Sequence, residues 1–155
     1  MKRLILFILL VTSTMGLQAQ TYFTKPQRSQ IQLFAASQTT RSIYGVKSGV
    51  NVGFSFNERW ELSYFNHQSL VSEETSSHQY RGLNLAYIVN PRSRTQLGIN
   101  SYMGFYNKAF FSMQFTLNMN YQIDENFFVA GEFGRSDGYP YFGIKAGVVL
   151  LSWKK

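Results

Sequence analysis

From Phe110 to Ile123 the chain alternates without a break between two kinds of side chain. One set is Phe111, Met113, Phe115, Leu117, Met119, Tyr121 and Ile123; the other is Ser112, Gln114, Thr116, Asn118, Asn120 and Gln122. Successive side chains of an extended chain point to opposite faces, so the pattern is one strand with an apolar and a polar face. Strands of soluble proteins run about 5–6 residues, and this one is roughly twice as long. Twelve steps of about 3.4 Å span roughly 40 Å, and a tilt of about 40° leaves about 31 Å of height. That covers the apolar band of about 25 Å that a bilayer demands of a spanning barrel.

The same period recurs from Gln30 to the C-terminus, with no helical period between. It predicts eight strands, at 30–39, 43–57, 60–71, 79–90, 95–107, 110–123, 127–136 and 140–153. Asn57-Glu58-Arg59, 90–94 and Asp124-Glu125-Asn126 read as tight polar turns. The alternate connections are 39–42, 72–78, 107–109 and 136–140, with Asp137-Gly138 suited to a hairpin that needs positive φ. None is long enough for a parallel crossover, so neighbours pair antiparallel. The fold class is all-β: an eight-stranded antiparallel up-and-down transmembrane β-barrel.

Two closed barrels fit such a meander, and they differ in which face is inside. A soluble lipocalin-like carrier turns its apolar set inward around a ligand. An outer-membrane barrel turns it toward lipid. Residue size favours the second, because eight strands leave an interior just wide enough for side chains to fill. The apolar set is bulky, as in Trp60, Leu62 and Tyr64. The polar set is slim, as in Gly98, Asn100 and Gly104. Charge agrees: only 15% of residues are charged, against roughly 25% in ordinary soluble domains. Phe56, Trp60, Tyr121, Phe127 and Trp153 lie by the tight turns and C-terminus, and Tyr44, Phe105, Phe111 and Tyr141 toward the other end. They read as two interfacial girdles.

The N-terminus carries an export signal. Lys2 and Arg3 precede the short apolar run Leu4 to Val11, and Leu17-Gln18-Ala19 offers a cleavage site. The run is well short of the ~20 residues that span a bilayer as a helix. The expected organisation is a signal peptide over 1–19, a periplasmic lead-in over 20–29 and a barrel over 30–155. With no cysteine there is no disulfide framework, thiolate metal site or lipid-anchoring thiol. The formal charge of +7 is spread thinly along the chain, which argues against nucleic acid.

On strand count, alternation, leader and the final run Val148-Val149-Leu150-Leu151-Ser152-Trp153, the chain resembles the small eight-stranded outer-membrane barrels of the OmpX and OmpA transmembrane-domain type. The Gln-Ala-Gln ending of the leader is similar to those of Bacteroidota. The resemblance implies a Gram-negative outer-membrane location, with termini and tight turns in the periplasm and the other connections at the cell surface. It also implies contact with outer-membrane lipids including lipopolysaccharide and recognition of the C-terminal strand by the barrel assembly machinery; an accessory place in a larger envelope complex is one of the roles left open to such a barrel.

Chemistry is sparse. Glu132 and Lys145 fall nearly opposite across the final hairpin and are expected to form a structural ion pair in the lumen, since an unpaired buried charge is costly. Glu61 is expected to find Arg59 or an arginine of the 91–94 turn. Arg81 and Arg135 have outward parity near the surface-loop ends, where they could reach lipopolysaccharide phosphates or simply snorkel. Glu73 and Glu74 make the 72–78 loop acidic. His67 and His78, with Ser69, Ser76 and Ser77 nearby, raise the alternative of a lipid A acylase or deacylase. No nucleophile–base–orienter spacing supports it, and the histidines read as polar residues of a solvated loop. Two histidines without a third ligand make no zinc site. The expectation is a non-enzymatic barrel in a structural, adhesion or accessory-complex role, with no catalytic, cofactor-binding or metal residues. An eight-stranded lumen also leaves no open channel.

Overall fold

The computed structural model describes residues 30–70 and 79–154; the expected signal peptide and lead-in, together with His78, Ser76, Ser77, Glu73 and Glu74, lie outside them. The described chain forms eight strands: β1 (Gln30–Ser42), β2 (Gly45–Phe56), β3 (Trp60–Ser69), β4 (Gln79–Ile88), β5 (Thr95–Tyr106), β6 (Phe110–Gln122), β7 (Phe127–Ser136) and β8 (Tyr139–Lys154). Each pairs antiparallel with the next, and β1 pairs with β8, so the sheet closes into a barrel. Closure satisfies every strand edge within the wall.

Three of the reversals use paired left-handed residues: Asn57-Glu58, Asn107-Lys108 and Asp137-Gly138 all have positive φ. This handedness matches the twist of the flanking strands, which is why such turns close hairpins tightly. The first reversal is also tighter than the sequence suggests. β1 continues to Ser42, and the turn sits at Ile43-Tyr44 rather than across 39–42.

The apolar set faces outward. Phe115, Leu117 and Ile144 are 56%, 62% and 73% exposed, while Gln114, Thr116 and Asn118 are buried in the lumen. The lower girdle stands as the sequence suggests, with Phe56, Trp60, Tyr121, Phe127 and Trp153 all exposed. The upper one needs correction. Phe105 and Phe111 face out, but Tyr141 is buried inside the barrel and Tyr44 is half-buried over its mouth.

Tyr141 belongs to a second correction: the lumen is not filled by slim residues alone. Phe65, Tyr80, Tyr102 and Tyr106 pack there as one buried cluster. Glycines make the room. A Cβ on Gly104 would lie 2.9 Å from the Phe65 ring, and one on Gly147 would collide with Phe128.

The apolar run 148–151 also breaks the alternation for a structural reason. Leu33 pairs with Leu151 but Phe34 pairs with Val149, so Leu150 is an extra residue in a β-bulge. Leu150 and Leu151 can then both face outward, and the inward phase resumes at Ser152, which accepts a hydrogen bond from Gln30 Nε2 (2.9 Å).

Candidate functional site: a lumen network centred on Glu132

Glu132 projects from the middle of β7 into the barrel and is 4% exposed. Four contacts converge on its carboxylate. Gln38 Nε2 on β1 donates to Oε2 (2.8 Å), Asn100 Nδ2 on β5 donates to Oε1 (2.9 Å), and the Tyr102 hydroxyl lies 2.7 and 2.9 Å from the two oxygens. Lys145 Nζ, from β8, stands 3.5 Å from Oε1. Glu132 and Lys145 are thus brought together diagonally, since Lys145 pairs directly with Ala130 in the ladder. A buried ion pair is tolerable only with good geometry and further hydrogen bonds, and the amides and phenol supply those.

An ionised carboxylate can only accept, so Glu132 orients the amides around it. Gln38 presents its nitrogen, leaving Oε1 to accept from Asn51 Nδ2. Asn51 therefore offers Oδ1 to His67 Nε2 at 2.9 Å. The network assigns the proton to His67 Nε2 and leaves Nδ1 as the acceptor. On the other side, Asn100 gives its Nδ2 to Glu132 and accepts at Oδ1 from Asn118 Nδ2 (2.7 Å).

This overturns the solvated-loop reading of His67. It lies on β3, 2% exposed, with its ring 5.2 Å from that of Phe65. Ser69 is the last residue of β3. Glu61 also departs from expectation. Arg59 Nη1 donates to the Tyr87 hydroxyl (3.2 Å), Arg92 pairs with Glu58 (3.9 Å), and Arg94 donates to the carbonyls of Gln122 and Ile123. Glu61 instead faces the lumen, where its charged neighbours are Lys145 and Glu132.

Above the network, aromatic rings close the lumen. Tyr44, Tyr106, Tyr80 and Phe65 follow one another at centroid separations of 4.6, 4.3 and 4.7 Å, and Tyr102 meets Phe65 edge-on at 5.3 Å. Buried Lys47 lies over the Tyr106 ring, 5.3 Å from its centroid, and donates to the Tyr44 carbonyl. The β7–β8 hairpin caps the stack. The Tyr44 hydroxyl donates to Asp137 Oδ2 (3.1 Å), which also accepts from Ser112 Oγ (2.7 Å). Burial, and then the Asp137 carboxylate, hold the Tyr44 hydroxyl above the ordinary phenol range.

Arg81 and Arg135 do not join this network. Both lie on the outward face near the loop ends, Arg81 half-buried between Asn66 and Phe105, Arg135 exposed between Phe115 and Pro140. They stand three strands apart around the wall and share no site. The inward aromatics went unread in the sequence although their parity was visible. Phe65 is in phase with Ser63 and His67, Tyr102 and Tyr106 with Asn100 and Gly104, and Tyr141 with Gly143 and Lys145.

The sequence matches no protein-family model and no curated protein. The architecture does match solved structures. A de novo designed transmembrane β-barrel superimposes with a TM-score of 0.55 at 12% identity, over 82% of this chain and 98% of the other. The N-terminal β-barrel domain of Pseudomonas aeruginosa OprF gives 0.52 at 13% identity, over 80% and 97%. The fold is that of a transmembrane β-barrel. One of these neighbours was designed, so the likeness speaks for architecture and leaves activity to the residues.

Proposed function

We infer that the protein is a non-catalytic integral barrel of a Gram-negative outer membrane, serving a structural, adhesion or accessory-complex role. The observation that carries this reading is a continuous exposed apolar face around a lumen filled by its own side chains. Water does not tolerate an apolar surface of that extent on a lone soluble domain, and an outer-membrane barrel carries such a belt by construction. The soluble-carrier alternative needs an apolar cavity, and the interior holds a polar network and packed rings instead. The filled lumen argues equally against a general pore.

The lipid-modifying alternative needs a histidine at the outer rim beside a nucleophile. His67 is committed to Asn51, packed on Phe65 and paired with Tyr80 in the ladder, level with the aromatic stack, which supports a structural histidine. Arg81 and Arg135 are the groups we assign to lipopolysaccharide phosphates, and β8, with exposed Trp153 next to its last residue, is the strand we assign to the assembly machinery. The test is fractionation of envelopes combined with surface labelling of Lys108→Cys, a unique thiol in a cysteine-free chain. Recovery in the outer membrane, with labelling on intact cells, supports the reading. Recovery as a detergent-independent periplasmic protein would sink it.

A further inference from the structure

On the side of the Glu132–Lys145 pair away from the aromatic stack, small Gly53, Ala86, Gly98 and Ala130 face inward beside the larger Phe34, Ile88 and Phe128. The ladder climbs toward the Asp137 end on passing from β1 round to β8, which is how Gln38 of β1 meets Glu132 of β7. The same climb sets Asn118 and Asn120 of β6, rather than Thr116, at the height of Glu61 on β3. These three residues therefore face into one stretch of lumen, which the Phe34–Phe128 ring pair and Ile88 share.

Asn118 Oδ1 and Asn120 Oδ1 are buried acceptors that no donor among the described residues reaches, and the residues are 3% and 4% exposed. The Asn118 oxygen cannot exchange places with its nitrogen. Glu132 fixes Asn100, and Asn100 takes the Asn118 nitrogen. A buried acceptor left unfilled is costly. Glu61 adds a carboxylate that makes no ion pair among the described residues. Its charged neighbours are one lysine and one further carboxylate, so with Glu61 ionised this half of the lumen holds one negative charge in excess. Lys47 is engaged at the other end, over Tyr106.

We propose that the lumen binds a monovalent metal cation, Na+ or K+, between the Glu61 carboxylate and the side-chain oxygens of Asn118 and Asn120. An all-oxygen donor set selects hard cations. The single uncompensated charge matches a monovalent ion and would leave a divalent one over-charged. The ion fills the orphaned acceptors and balances Glu61 at once. This site stands whatever the barrel does in the envelope.

The test uses purified barrel refolded in an uncharged detergent, free of lipopolysaccharide, with urea unfolding at constant ionic strength in NaCl, KCl or tetramethylammonium chloride. The last cation is too bulky and too weakly coordinated to enter. Small-cation stabilisation should saturate, with the folding constant raised about elevenfold at ten times the dissociation constant. Glu61→Gln and Asn118→Ala should each abolish the difference between salts. As a readout independent of variant folding, wild-type barrel should broaden the sodium-23 resonance, and K+ but not tetramethylammonium should reverse the broadening. Identical wild-type stability in all three salts overturns the site, as does a salt difference that survives both substitutions. Sodium-23 broadening that tetramethylammonium reverses as well as K+ does marks a diffuse surface effect and overturns it too.

Discussion

Replacing Glu132 by leucine leaves Lys145 as a buried charge without its partner and takes the acceptor from Gln38, Asn100 and Tyr102. The expected loss is about 3–5 kcal/mol, the range for breaking one side of a buried pair. Glu132→Gln combined with Lys145→Met removes both charges and should recover most of it. Urea unfolding of the two variants in lipid vesicles checks the order, and equal losses would show that the pair is not the organising contact. Tyr44 is a residue-scale case with a pH sign. Its hydroxyl titrates above the ordinary phenol value in the folded barrel, so folding retains a proton that the unfolded chain gives up near pH 10. The stabilisation it adds is therefore fully present below about pH 10 and fades as pH rises through the raised value. The stability difference between wild type and Tyr44→Phe should shrink over that interval, and a difference that grows with pH would contradict the Tyr44–Asp137 contact.

At the scale of one strand, β8 contains a counter-intuitive test. Leu150 is the extra residue of the bulge, so deleting it leaves Val149 followed by an outward Leu151, an inward Ser152 and an outward Trp153. The deletion regularises the ladder, and the barrel should still form. Deleting Ile144 from the same strand shifts every later residue to the wrong face until the bulge, exchanging Lys145 into lipid and Ala146 into the lumen. That variant should fail to fold. The shift in electrophoretic mobility between unheated and boiled samples, which reports a closed barrel, distinguishes the two. Both deletions behaving alike would mean that the bulge does not carry the change of phase.

Across the whole molecule, neighbouring positions of β6 should respond in opposite ways. Leu117 is exposed on the outer face and Thr116 is buried within. Leu117→Arg should cost about 2–4 kcal/mol in a bilayer, the penalty for a cation near the midplane of a barrel's lipid face, and little in uncharged detergent. Thr116→Val should be near neutral in both, because it replaces an unbonded hydroxyl by an equal volume. Unfolding in vesicles and in micelles gives both comparisons. If arginine at 117 is as well tolerated in vesicles as in micelles, the outer face is not the lipid face. The filled interior makes a further whole-molecule prediction: reconstituted into planar bilayers, the barrel should show no steady open-channel conductance, whereas a persistent open state would require the ring stack at Tyr80 and Tyr106 to part.

The period of two, the bulky outward set and the turn residues sufficed to read eight strands and their facing, because each strand's pattern is a local property of its own residues. Asn57-Glu58 and Asp137-Gly138 marked reversals for the same reason. The Glu132–Lys145 proximity was legible too, since one hairpin sets it. What Glu61, His67, Phe65 and Tyr102 would touch was not legible, since their partners sit on strands far apart in sequence and are chosen by the stagger of the closed sheet. Closure also decided that Leu150 bulges and that glycines at 104 and 147 make way for rings. Alternation says which way a side chain points; only the cylinder's stagger decides what it meets there.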